Sequence, residues 1–161
     1  ATIVVIAAGG ERRIAAGDFF QGMMETALDD HDIVTAIDIP AAPAGQGQAY
    51  IKFSHPASRY AVVGAAAAVT LVDGTIATAA VALGGLVPVA TRAGAVEQAL
   101  QGQRPSADTI ATAAATVSTD LGDDLIGDIY ASAEYRRAMA PVCVKRALRT
   151  AIERASSSEP A

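Results

Sequence analysis

The chain has 161 residues, 52% of them hydrophobic and many of those alanine, with no Trp, three Phe and four Tyr. It is long enough to bury one ordinary core and part of another, and that core must close by backbone approach and aliphatic packing. A net charge of −5 argues against a nucleic-acid groove, which needs a local excess of Lys and Arg.

A single cysteine, Cys143, excludes an internal disulfide, and no Cys/His spacing matches a zinc or iron-sulfur site, so a reducing cytoplasm is the simplest setting. No apolar run reaches the roughly 18 residues that suggest a membrane span, and no signal-peptide pattern opens the chain. It begins with Ala rather than Met, as expected of a processed or truncated product.

Residues 2–7 and 11–15 read as a β-hairpin, because β-branched residues flank Gly9-Gly10, a pair able to take positive φ. Asp18 is expected to cap a short helix or turn from Phe19 to Met24. The acidic run from Asp29 to Asp32 interrupts regular structure. Ile33, Thr35, Ile37 and Ile39 then alternate as a strand that Pro40 stops. Residues 41–48 have the glycine and proline content of a surface loop.

Three further strands are expected at 49–53, 60–72 and 75–83, the last two joined by Asp73-Gly74, a strong hairpin signal. Alanine runs within them favour helix on propensity alone, but the turn and the flanking Val, Ile and Thr decide for strand. Past Gly84-Gly85 the period changes. Helices are expected at 92–100, at 107–121 behind a Ser106 cap, and at about 133–155 behind a Ser132 cap, the last bent near Pro141. Residues 156–161 read as a disordered tail. Strands followed by helices define an α+β domain, an antiparallel sheet with three helices packed on one face.

Few residues offer chemistry. His31 and His55 are the only histidines, and Cys143 reads as a small buried hydrophobe. The aspartates at 29–32 and 120–128 lack the glycine and terminal glutamate of a calcium loop and read as solvated loops and helix caps. Arg136, Arg137, Lys145, Arg146, Arg149 and Arg154 read as a solvated or subunit-facing stripe. Lys52 and Tyr60, eight positions apart at the ends of two successive strands, converge only if the intervening HPAS segment turns, which His55-Pro56 favours. Spacing alone makes them a surface lysine and a core-edge aromatic.

The segment YIKFSHPASRYAVVGAAAAV at 50–69 carries a resemblance. AAGDFFQGMMETAL, DIVTAIDIP, VALGGLVPVATRAGAVEQALQG and ASAEYRRAMAPVCVKRAL extend it over nearly the whole chain. In this order they resemble the C-terminal part of the FAD-binding medium subunit of molybdenum hydroxylases, the family of aerobic carbon monoxide dehydrogenase and xanthine dehydrogenase.

The resemblance implies that residues 1–40 end an FAD-binding subdomain and that 41–155 form the flavoprotein C-terminal domain. It implies FAD as cofactor, a molybdopterin-containing large subunit and a 2Fe-2S small subunit as partners, and electron transfer from the clusters to an external acceptor. Tyr60 would lie against one face of the isoalloxazine, Lys52 would contact the cofactor, and Val34 would touch it. An ammonium stabilises the negative charge of a reduced flavin, and an aromatic ring on its face limits access.

Two departures stand out. Relatives carry several basic residues after the lysine and an aspartate before the tyrosine, where this chain has Ser54, His55, Pro56 and Arg59. The glycine-rich loops that grip the FAD pyrophosphate lie upstream in the family, and Gly9-Gly10 is no substitute, since it matches no G-x-G-x-x-G. The other reading is therefore a non-catalytic α+β module for assembly or small-ligand binding, without flavin.

Overall fold

The structure is a computed structural model that describes residues 1–157. The chain divides into two compact units, Ala1–Ala42 and Pro43 onward.

In the first unit, β1 (Thr2–Ala7) and β2 (Gly10–Ala15) form an antiparallel hairpin, and β5 (Ile33–Asp38) pairs antiparallel with the other edge of β1. Between them lie one helical turn, α1 (Ala16–Phe19), and a small ribbon of β3 (Phe20–Gly22) with β4 (Glu25–Thr26). The expected short helix or turn from Phe19 to Met24 is met only by the turn at Met23-Met24; the helical turn comes earlier, and Asp18 lies inside it rather than capping it. Phe19 is buried with Ile3 and Val5, whereas the residues after it turn back as a ribbon, with Met24 at φ 64° in its turn. Arg12 ties the acidic segment down: it pairs with Asp32 and donates to the Ala27 carbonyl at 2.9 Å.

The second unit is an antiparallel sheet in the order β6 (Gln46–Ser54), β7 (Ala61–Val72), β8 (Thr75–Gly84) and β9 (Thr91–Arg92). Its helices are α2 (Gly94–Leu100), α3 (Ala107–Ala115), α4 (Val117–Asp120) and α5 (Ala133–Ser157). The β7–β8 turn places Asp73 at φ 50° and Gly74 at φ 68°, both left-handed, as a tight two-residue hairpin requires. Both alanine runs are strand, because alternate residues on β7 (Val63, Ala65, Ala67, Val69, Leu71) bury one face of the sheet.

Helix α5 packs on β6 and β7 through Ala140, Ala147, Ala151 and Ala155, all fully buried. The small residues explain the alanine-rich composition. With nothing larger than a methyl group between them, helix and sheet approach closely and bury Val144 and Leu148 beside the contact.

The helices differ from expectation in detail. Ser106 caps α3, its Oγ accepting from the Thr109 amide at 3.0 Å, but that helix ends at Ala115 and the single turn α4 follows. Thr91 and Arg92 join the sheet rather than α2. Ser132 accepts from the Tyr135 amide at 3.1 Å, and α5 runs through Pro141. It also takes in Ser156 and Ser157, which were expected in the tail; residues 158–161 lie outside the described residues.

Arg136 corrects the arginine stripe. It is 4% exposed and donates to the carbonyls of Ala131 (3.2 Å), Val62 (3.1 Å) and Gly85 (2.9 Å) while pairing with Asp128. A helix pattern makes it a surface arginine; three inward carbonyls from separate segments make it a buried clamp.

Candidate functional site

Strand alternation places Gln48, Tyr50 and Lys52 on the solvent face of β6, away from α5, while Gly47 and Ala49 are buried. Lys52 is opposite Gly64 on β7. Among the described residues its ammonium forms no ion pair. Tyr50 lies over the same Gly64: a Cβ there would sit 2.5 Å from the Tyr50 hydroxyl. The glycine thus opens the space that the ring occupies, beside the lysine.

Past Ser54 the two strands are joined by a closed turn. The His55 amide donates to the Tyr60 carbonyl at 2.8 Å, and the Arg59 amide returns to the His55 carbonyl at 3.0 Å. The His55 Nδ1 accepts from the amides of Ala57 and Ser58, both at 3.2 Å. Arg59 holds φ 62°, left-handed and strained for a bulky side chain. The expected HPAS turn therefore forms. It leaves Tyr60 80% exposed, opposite His55 and roughly 10 Å along the strand from Lys52.

Lys52 and Tyr60 thus stand at the same end of one hairpin, with no hydrogen bond or ring contact between them among the described residues. Val34 is on β5 in the first unit, opposite Val5 and 39% exposed, on a strand whose residues are all exposed. It is not the plain core residue that a strand valine usually is.

The turn is braced from the loop that precedes α5. The His55 ring meets Tyr130 edge-on at 4.6 Å between centroids. The Tyr130 and Ala131 amides each donate to Asp128 Oδ1 at 2.8 Å. These amide bonds, that of Ala131 foremost, hold the Asp128 carboxyl below its ordinary range, helped by Arg136 and His55. Cys143, 1% exposed, has its thiol pushed up by burial and belongs to the hydrophobic core of the second unit.

Beside Tyr50 the outer face carries an open trough of about 490 Å³, floored by Ala66, Ala68, Ala80 and Ala82 and edged by Arg92. Sequence reasoning passed over Tyr50, used His55 only as a turn former and placed Arg136 in a surface stripe. The period of two that carries Lys52 outward carries Tyr50 with it, and the isolated Gly64 within a strand was the available signal.

All but the first two residues of this hairpin lie within residues 48–151, which match the family model described as CO dehydrogenase flavoprotein C-terminal domain. The chain belongs to that family. It is 32% identical over 151 residues to the carbon monoxide dehydrogenase medium chain of Afipia carboxidovorans, covering 92% of this chain and 51% of that one. It is 30% identical over 139 residues to the nicotine 6-hydroxylase medium subunit of Paenarthrobacter nicotinovorans, covering 86% of this chain and 48% of that one.

Its fold is similar to carbon monoxide dehydrogenase from Hydrogenophaga pseudoflava, solved without the Mo-pyranopterin moiety of its molybdenum cofactor. The TM-score is 0.88 at 32% identity, covering 95% of this chain and 53% of that one. The chain thus spans about half the length of the relatives it matches, and the α+β architecture is the family's. Among the described residues no helix is long and apolar enough to cross a membrane.

Proposed function

We propose that this chain is the C-terminal portion of an FAD-binding medium subunit of a molybdenum hydroxylase, and that its β6–β7 hairpin forms one wall of the flavin pocket. The observation that carries this is the exposure of Lys52 and Tyr60 at one end of a hairpin inside the matched region, the lysine without an ion-pair partner among the described residues. An exposed aromatic ring and an exposed cation at the turn end of a strand pair suit a flat aromatic ligand that takes on negative charge better than they suit a core.

In this reading the first unit, with Val34 as a proposed cofactor contact, is the end of the second FAD subdomain, and the second unit is the C-terminal domain. Bound flavin supplies the redox chemistry, relaying electrons from 2Fe-2S clusters on a small subunit to an external acceptor. Lys52 offsets negative charge on the ring system, and Tyr60 covers a ring face and excludes water from it. The phosphates are gripped by loops upstream of the portion described. The alanine-floored trough is docking surface, and substrate chemistry belongs to a molybdopterin-containing large subunit. A cytoplasmic complex suits the single free thiol of Cys143.

The test is purification of the native complex that contains this chain. Flavin absorption bands, with reduction or reoxidation rates altered by Tyr60→Ala while assembly stays intact, support the reading. A complex without flavin leaves the chain as an assembly module.

A further inference from the structure

We propose that His55 is the positioning residue of this wall, and that its imidazole sets the course of the chain into Tyr60. The inference rests on the reading that Tyr60 faces flavin. Pro56 has no N–H, so Ala57 and Ser58 are the first amides of the turn that need an acceptor, and His55 Nδ1 takes both at 3.2 Å. The His55 backbone amide and carbonyl bond Tyr60 and Arg59 at 2.8 and 3.0 Å. One residue thus makes four hydrogen bonds across a six-residue connection. Those bonds hold Arg59 in its left-handed conformation, which persists only where the surroundings over-determine it.

The ring is then fixed from outside. It abuts Tyr130, whose amide is bonded to Asp128. Asp128 pairs with Arg136, which reaches the Val62 carbonyl two residues beyond Tyr60. The circuit His55–Tyr130–Asp128–Arg136–Val62 therefore clamps both sides of the segment that presents Tyr60. With Tyr60 80% exposed, the core gains nothing from this precision. What it fixes is the direction of an exposed aromatic ring.

The experiment compares His55→Ala, His55→Asn and Tyr60→Ala in the flavin-containing complex, by visible circular dichroism of the flavin, its reoxidation rate, and amide exchange over residues 57–60. His55→Ala is expected to accelerate exchange and to change the flavin signal and rate several-fold, in the sense that Tyr60→Ala does. The double variant should add little to either single one. An asparagine amide oxygen can accept the same two N–H groups, so His55→Asn should restore amide exchange, and should restore the flavin signal only in part because it lacks the ring contact with Tyr130. If Tyr60→Ala alters the flavin and His55→Ala does not, the inference falls and the flavin reading stands. If Tyr60→Ala is silent, the flavin reading falls and the inference with it. Unchanged exchange in His55→Ala overturns the bonding on which the inference is built.

Discussion

Gly47 on β6 lies directly beneath the Ala151 carbonyl of α5, so close that a Cβ on residue 47 would overlap that oxygen and the Ala155 amide nitrogen. Both contacts are backbone, so no side chain can rotate away. The helix must lift, and lifting it uncovers the buried faces of Ala147, Leu148 and Ala151. Gly47→Ala is expected to cost about 1–3 kcal/mol, the range for overpacking a well-packed core. Urea unfolding of the variant should show the lower midpoint; an unchanged midpoint would mean that helix and sheet are not in contact at this point.

Arg136 joins three elements by donating to carbonyls on β7, on the loop after β8 and just before α5. Arg136→Met keeps the aliphatic stem and removes every donor; the Ala131 carbonyl keeps the Asp128 amide at 3.0 Å, whereas the Val62 and Gly85 carbonyls lose the guanidinium in the interior. Unsatisfied buried acceptors cost about 1–3 kcal/mol each, partly offset where water enters, so a loss of roughly 3 kcal/mol is expected. Arg136→Lys should recover only part of it, because one ammonium cannot span the same fork. Thermal denaturation of both variants checks the order.

How much of this was legible in the sequence follows from the range of the forces involved. Asp73-Gly74 and the caps Ser106 and Ser132 act over a few residues, and their turn and helix starts could be read directly. The segment from Phe19 to Met24 could not, because the burial of Phe19 against Ile3 and Val5 and the ribbon pairing of Phe20 with Thr26 outweigh local helix preference. Arg136 was misread for the same reason: its acceptors lie 74 and 51 residues away in sequence. The hairpin end bearing Lys52 and Tyr60 was legible as a turn, but the bracing of His55 by Tyr130 depends on a contact that no local pattern encodes.

Asp128 predicts a pH dependence. Its carboxyl is held below the ordinary value of 3.8, chiefly by the Ala131 and Tyr130 amides and then by Arg136. A folded-state pKa lower than the unfolded one contributes stability that is fully present above the unfolded value and is lost as pH falls through the folded one. The acid limb of a stability-versus-pH curve should therefore steepen below pH 3.8 in the parent chain. In Asp128→Asn, which keeps an acceptor for both amides but carries no charge, that limb should be flatter. Chemical denaturation at a series of acidic pH values distinguishes the two; parallel curves would remove Asp128 from the account.

Tyr50 shares Lys52's face of β6 through the strand period of two. Its ring occupies the space that Gly64 leaves open, and a methyl group there would sit 2.5 Å from the hydroxyl. A phenol end can swing aside where backbone cannot, so Gly64→Ala should displace the Tyr50 side chain at small cost to the fold, within about 1 kcal/mol. The backbone at residue 64 stays in the ladder with Lys52, so the lysine keeps its place. If Tyr50 helps to wall the site, Gly64→Ala and Tyr50→Ala should alter flavin reoxidation in the same sense, with thermal midpoints close to that of the parent complex. If it only covers the glycine, both variants should reoxidise at the parent rate. Stopped-flow reoxidation of the two complexes decides between these outcomes, because the first requires the ring to act through its position beside Lys52 rather than through packing.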